Sequence, residues 1–185
     1  MNLNELRDRA YKTAIAHGWH EERYSDEHWL CLVISEFMEA VNADRKNNHA
    51  RLDKYEKGMD FYIHELKVHG DGYERAVQVM YNDAIKDTVE DELADACIRL
   101  FDYAGVRNFD LDNFDYDSSD TTDYSVMSFT ESMYELVHFV MNWEISVVLN
   151  EILAFCKQNG IDIFRYIDLK MEYNKFRTYK HDKNY

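Results

Sequence analysis

The chain is predicted to fold as an all-α helical bundle of five to six helices. Three observations predict it. The 185 residues include 0 Pro, against an average usage of about 5%, and proline is the residue that breaks helix interiors. Apolar residues recur at three- and four-residue steps along most of the chain, as amphipathic helices require. Hydrophobic residues make up 46% and aromatic residues 15%, a globular composition, and 6 Gly are available to end the helical runs.

The elements follow in order. NLNELRDRAYKTAIAHG places Leu3, Leu6, Ala10, Ala14 and Ile15 on one helical face, with Asn2 or Asn4 as cap and Gly18 as terminator. GWHEERYSD reads as a turn, and Ser25 or Asp26 opens a second helix to about Asn47. Residues 51 to 82 are rich in Gly, Asp and Tyr and read as a loop with short helical pieces. A third helix runs from about Asp83 to Ala104 and is ended by Gly105. An acidic loop over about 110–128 follows, with Asp110, Asp112, Asp115, Asp117, Asp120 and Asp123. It lacks the Gly at position six and the Glu at position twelve of a calcium loop, so it reads as a solvated loop. FTESMYELVHFVMN and EISVVLNEILAFCKQNG are two more helices, the latter ended by Gly160; IDIFRYIDLKMEYNKFR is the last, with a polar tail to Tyr185. No repeat or linker divides the chain, so 1–185 is expected to form a single domain.

Charge and cysteine content narrow the function. A formal net charge of −15 argues against nonspecific nucleic-acid binding, which runs on neutralising phosphates with Lys and Arg. Cys31, Cys97 and Cys156 are far apart in apolar helical stretches and read as reduced core residues of a cytoplasmic protein. MNLNELRDRA has no signal-peptide pattern. The longest apolar run, near Trp29 to Ile34, is too short to span a membrane.

The informative residues are two acidic pairs, Glu36 with Glu39 and Glu92 with Asp95. Spacing of i, i+3 puts both carboxylates of a pair on one helix face. Both pairs lie in the most apolar helices of the chain, where a carboxylate is costly unless something positive meets it. If the two helices face each other, four carboxylates converge on a point that suits a hard divalent cation such as Mg²⁺. Without the cation, some of them take up protons at unusually high pH. Arg99 is expected to pair with Asp95 or Asp102 along the same polar stripe.

LVISEFMEAVNADRKN and VEDELADACIRLFDYAG resemble the two metal-binding segments of the MazG-like all-α nucleoside triphosphate pyrophosphohydrolases. RAYKTAIAHGW, in the position of the family's first helix, and KMEYNKFRTYKH, at its C-terminal segment, extend the resemblance over more than half the chain. The resemblance implies a fold like that of the dimeric dUTPases and a homodimer or homotetramer. It implies hydrolysis of a (deoxy)nucleoside triphosphate at the α–β bond, with Mg²⁺ or in its place Mn²⁺. Glu36, Glu39, Glu92 and Asp95 would be the metal ligands and catalytic residues. Lys170, Asn174 and Arg177, at i, i+4, i+7 on the last helix, would contact phosphate, and Trp19, with His20 beside it, would contact the base. Two departures stand out. Ser35 occupies a position where the family often has a further Glu, and the 53-residue separation of Glu39 from Glu92 is long, as an insertion over 51–82 would make it.

Two other functions fit less of the sequence. A di-iron carboxylate bundle uses two Glu-x-x-His motifs, and Glu135 with His138 supplies one. A non-catalytic nucleotide-binding or protein-interaction module would keep the bundle without turnover.

Overall fold

The computed structural model describes residues 2–111, 121–142 and 144–179. Asp112, Asp115, Asp117 and Asp120 of the acidic loop, and the tail beyond Tyr179, lie outside the described residues. The all-α prediction holds: there is no strand among the described residues. The helices are α1 (Leu3–Ala16), α2 (Asp26–Asp44), α3 (Leu52–Asp60), α4 (Asp71–Ala84), α5 (Val89–Arg107), α6 (Phe129–Asn142), α7 (Ile145–Gln158) and α8 (Ile163–Lys175). Among the described residues they number eight rather than five to six.

Most of the difference lies in residues 51–82, expected as a loop and found largely helical. Tyr55 and Met59 are the buried face of α3, and Ala76, Val77, Met80, Tyr81 and Ala84 that of α4. These are three- and four-residue steps, masked in the sequence by Gly58, Gly72 and the many polar residues between them. A π-helical stretch, Phe61–Glu65, continues α3. The pair leans on α8: Gln78 donates to the Phe176 carbonyl (2.7 Å), Tyr173 to Asn82 (3.0 Å), and Arg165 to Glu56 (3.0 Å).

The third predicted helix is also corrected. It starts at Val89, not Asp83, because Thr88 is its cap: the Thr88 hydroxyl accepts from the Asp91 amide at 3.3 Å. A Thr three residues before an acid is a helix-start pattern. The helix also does not stop at Gly105. It runs to Arg107 and is closed by Asn108 in the left-handed region, φ 53°, a conformation Asn tolerates better than most residues. Gly105 serves packing instead. A Cβ there would lie 2.6 Å from the Tyr11 Cβ, so the missing side chain lets α1 approach α5.

Buried apolar residues from all eight helices form one cluster, and α5 runs through its middle, with twelve of its 19 residues buried. The helix packs against α1, α2, α7 and α8. Helices α2 and α5 are antiparallel: Asp26 meets Arg107 at one end, Glu36 meets Arg99 midway, and Glu39 approaches Glu92 at the other. Cys97 and Cys156 are buried as expected, whereas Cys31 is exposed.

Replacing Gly105 with Ala tests the close approach. In an open helix the change would stabilise by about 1 kcal/mol. Here the methyl group meets Tyr11, so urea denaturation is expected to show a loss of about 1–3 kcal/mol. An unchanged or raised midpoint would contradict the packing.

Candidate functional site

The antiparallel crossing of α2 and α5 carries acids from both helices to one place. Carboxylate oxygens of Glu36, Glu39 and Glu92 lie within 4.8 Å of one another. Glu36 and Glu92 are buried and Glu39 is exposed, so the cluster opens at one side. It forms one part of a cleft of about 250 Å³ between α1, α2, α5 and α8.

Asp95, the fourth acid expected there, lies in the same cleft but is committed elsewhere. Lys170 of α8 places its ammonium 2.7 Å from Asp95 Oδ2 and 2.7 Å from Asp91 Oδ1. Lys170 is therefore not a surface group: its side chain is 5% exposed. Asp91 was not singled out from the sequence. Besides Lys170 it accepts from the Tyr81 hydroxyl (2.5 Å) and the Asp87 amide (2.9 Å). Tyr81 in turn stacks on Tyr173 with ring centroids 4.4 Å apart. The Thr88-to-Asp91 cap spacing was the signal available for Asp91. Asp87, Asp91 and Glu92 form a second close group, but an ion there would compete with the Lys170 ammonium.

Arg99 pairs with Glu36 rather than with Asp95 or Asp102. Asp102 instead accepts a hydrogen bond at its Oδ1 from His20 Nε2, 2.8 Å away. Ser35 turns back on its own helix and donates to the Leu32 carbonyl at 2.7 Å.

The remaining predicted residues are in the same cleft. Asn174 is buried in its wall, and its Oδ1 has no partner among the described residues. Arg177, expected on the last helix, lies beyond its end at Lys175, with its guanidinium 5.8 Å from the Tyr173 ring centroid. Four cations line the cleft, and Lys86, Arg99 and Lys170 are ion-paired. Arg177 has no carboxylate within ion-pair range among the described residues. Trp19 lines the far part of the cleft with Tyr24, His28 and Trp29. His20 stacks on Trp29 (5.2 Å) and His28 on Tyr24 (4.0 Å).

The electrostatics follow from burial and like charge. Burial, then Asp95 and Glu39, raise the Glu36 carboxyl to about 7 despite Arg99. Burial, then Asp91 and Asp95, raise Glu92 to about 9 despite Lys170. Burial likewise raises Asp91, although Lys170 opposes it. Burial lowers Lys170, but Asp95 and Asp91 more than offset it, so the ammonium is held charged. Protons on Glu36 and Glu92 are what a cation would replace. The donor set at Glu36, Glu39 and Glu92 is all carboxylate oxygen, which suits Mg²⁺.

Comparisons of the chain with protein-family models, curated proteins and solved structures find no match. No described helix is long and apolar enough to cross a membrane.

Two outcomes test this arrangement. Glu36 and Glu92 bind protons more tightly folded than unfolded, so their contribution to stability is full below about pH 4.5 and falls as pH rises through about 7 and about 9. Melts in chelator between pH 5 and 9 are expected to show that decline, and Glu92→Gln to flatten its upper part; a melting temperature rising over this interval in both would refute it. Lys170→Met strands Asp91 in the interior and is expected to cost about 3–5 kcal/mol. A loss below about 1 kcal/mol in urea titration would show that Asp91 finds another counter-charge.

Proposed function

We propose that the chain hydrolyses a (deoxy)nucleoside triphosphate at the α–β bond, releasing the monophosphate and pyrophosphate. One observation carries the reading: carboxylates of Glu36, Glu39 and Glu92 converge in a cleft that also holds the cation Arg177 and a set of aromatic side chains. A triphosphate needs these parts together, since phosphoryl chemistry rests on positioning and charge stabilisation. The MazG-like resemblance of the two acidic segments points the same way.

In this reading Glu36, Glu39 and Glu92 hold Mg²⁺ or Mn²⁺. When bound, such a cation neutralises phosphate oxygens and lowers the pKa of a bound water towards neutrality. Arg177 offers a planar fork of N–H donors matched to phosphate, and Asn174, beside it on α8, completes the polar row. Lys170 acts through Asp95 and Asp91 rather than on the substrate. Its ammonium offsets two of the acids beside the cluster and orients Asp95 towards the cleft. Glu36 would help hold the cation while Arg99, paired with it, would add positive charge beside the phosphates. Trp19 and its aromatic neighbours give a flat base surfaces to stack on. A homodimer or homotetramer remains part of the reading through the resemblance alone.

A second reading has its own support: Asp95 is ion-paired to Lys170, and Ser35, where the family often has a further Glu, donates to its own helix, so the cleft offers fewer uncommitted acids than the resembled set. A nucleotide-binding module without turnover would tolerate this. Incubation with a panel of ribo- and deoxynucleoside triphosphates and Mg²⁺, scored for both monophosphate and pyrophosphate, separates the two. Turnover that stops with chelator and falls at least about 100-fold in Glu39→Gln is expected, a loss on the scale of removing one charge-stabilising group. Tight binding with no product would favour the module. Release of inorganic phosphate alone would place cleavage at another bond.

A further inference from the structure

Asp102 sits at the aromatic part of the cleft, away from the acid cluster. Along α5 it is seven residues beyond Asp95, two turns on the same face and about 10 Å away at about 1.5 Å per residue. On α2, Trp29 precedes Glu36 by the same interval. The aromatic part and the acid cluster therefore leave room for a sugar between a base and its phosphates. This inference rests on the nucleotide reading above and asks which bases the cleft takes.

Three observations bear on it. Asp102 lines the cleft yet is buried, 8% exposed. Its Oδ1 is taken by His20, and its other oxygen has no hydrogen bond among the described residues. Oδ2 is not sealed in protein either, since the buried unpartnered side-chain atoms of the described residues are Trp29 Nε1, Asn150 Oδ1 and Asn174 Oδ1. His20 is stacked on Trp29, so the carboxylate is fixed in orientation beside an indole plane. The Trp29 N–H, buried and unpartnered, belongs to the same wall.

We infer that Asp102 is a specificity-determining residue that selects nucleobases carrying an exocyclic amino group over their carbonyl counterparts. In its ionised form, which burial opposes and the His20 hydrogen bond favours, the Asp102 carboxylate only accepts hydrogen bonds. An amino edge offers it N–H protons, as in carboxylate contacts to the cytosine amine. Where the base bears a carbonyl instead, two acceptors face each other and the buried oxygen is left without a donor, which is the costly arrangement. Pockets that hydrogen-bond one edge reject the analogue lacking it far more strongly than pockets that discriminate by shape. The His20 hydrogen bond fixes the carboxylate and removes its freedom to turn away.

The test uses base pairs that differ by that one group: CTP against UTP and ATP against ITP, with the deoxy forms in parallel. Binding of their α,β-imido analogues to the wild-type protein is measured by calorimetry with Mg²⁺, and turnover of the natural triphosphates is measured beside it. The expected result is about 10- to 100-fold tighter binding of the amino member of at least one pair. Asp102→Asn, which can donate as well as accept, is expected to bring that ratio to within about threefold of unity, with an unchanged circular dichroism spectrum as the folding control. Equal affinities, a preference for the carbonyl member, or no binding of any analogue would overturn the inference, and so would a folded Asp102→Asn variant that keeps the wild-type ratio. If that variant does not fold, the wild-type ratios decide alone. Discrimination in binding without turnover would remove the hydrolase reading and leave this one standing; turnover without discrimination would do the reverse.

Discussion

A single ammonium group holds the site together. Lys170 reaches from α8 between Asp91 and Asp95 and pairs with both, two carboxylates on adjacent turns of the core's central helix. Buried charge of one sign is among the least tolerable features of a protein interior. The Lys170 contact converts it into a link between α5 and α8 and leaves Glu92 to face Glu36 and Glu39. The acid cluster can therefore sit on the core's central helix instead of on a loop, and its donors inherit the rigidity of the surrounding packing. Tyr81, hydrogen-bonded to Asp91 and stacked on Tyr173, extends the same link to α4.

The distribution of charge within the cleft is correspondingly graded. The acids of α5 nearest α8 are neutralised by protein. Glu92, facing α2, and Glu36 opposite it are raised chiefly by burial and then by neighbouring acids, with Lys170 opposing the rise at Glu92 and Arg99 at Glu36. At the other end Asp102 is hydrogen-bonded to the His20 imidazole, and burial raises its carboxyl although that bond opposes the rise. A chain with a net charge of −15 thus presents one unpaired guanidinium, Arg177, to its acidic cleft among the described residues, where an anion bridged by a cation would gain most from it.

Much of this was legible in the sequence, and the limits have physical causes. The helical period of the flanking segments, Asn2 as a cap and the same-face placement of Glu36 with Glu39 are local properties, and each is found as read. Helix ends that depend on tertiary contact were misread: Gly105 suggests a terminator, yet its backbone is needed against Tyr11. Residues 51–82 were read as irregular because short helices with many polar residues carry a weak periodic signal until a partner helix covers their apolar face. The partnering of charges was the least accessible. The spacing of Glu92 and Asp95 shows that they share a face, but not that Lys170, 75 residues beyond Asp95, takes one of them. Asp91 and the Asp102–His20 pair were missed for the same reason: their significance lies in who meets them across the core.

The contacts of α3 and α4 with α8 carry one more consequence. Segments that lengthen a fold are often treated as detachable decoration, yet here Gln78, Asn82 and Glu56 brace the very helix that supplies Lys170 and Asn174 and leads into Arg177. An engineer trimming the chain to a minimal bundle would unseat these cleft-lining residues along with the excess length. The hairpin has become a buttress for the wall of the cleft, and that wall would have to be rebuilt without it.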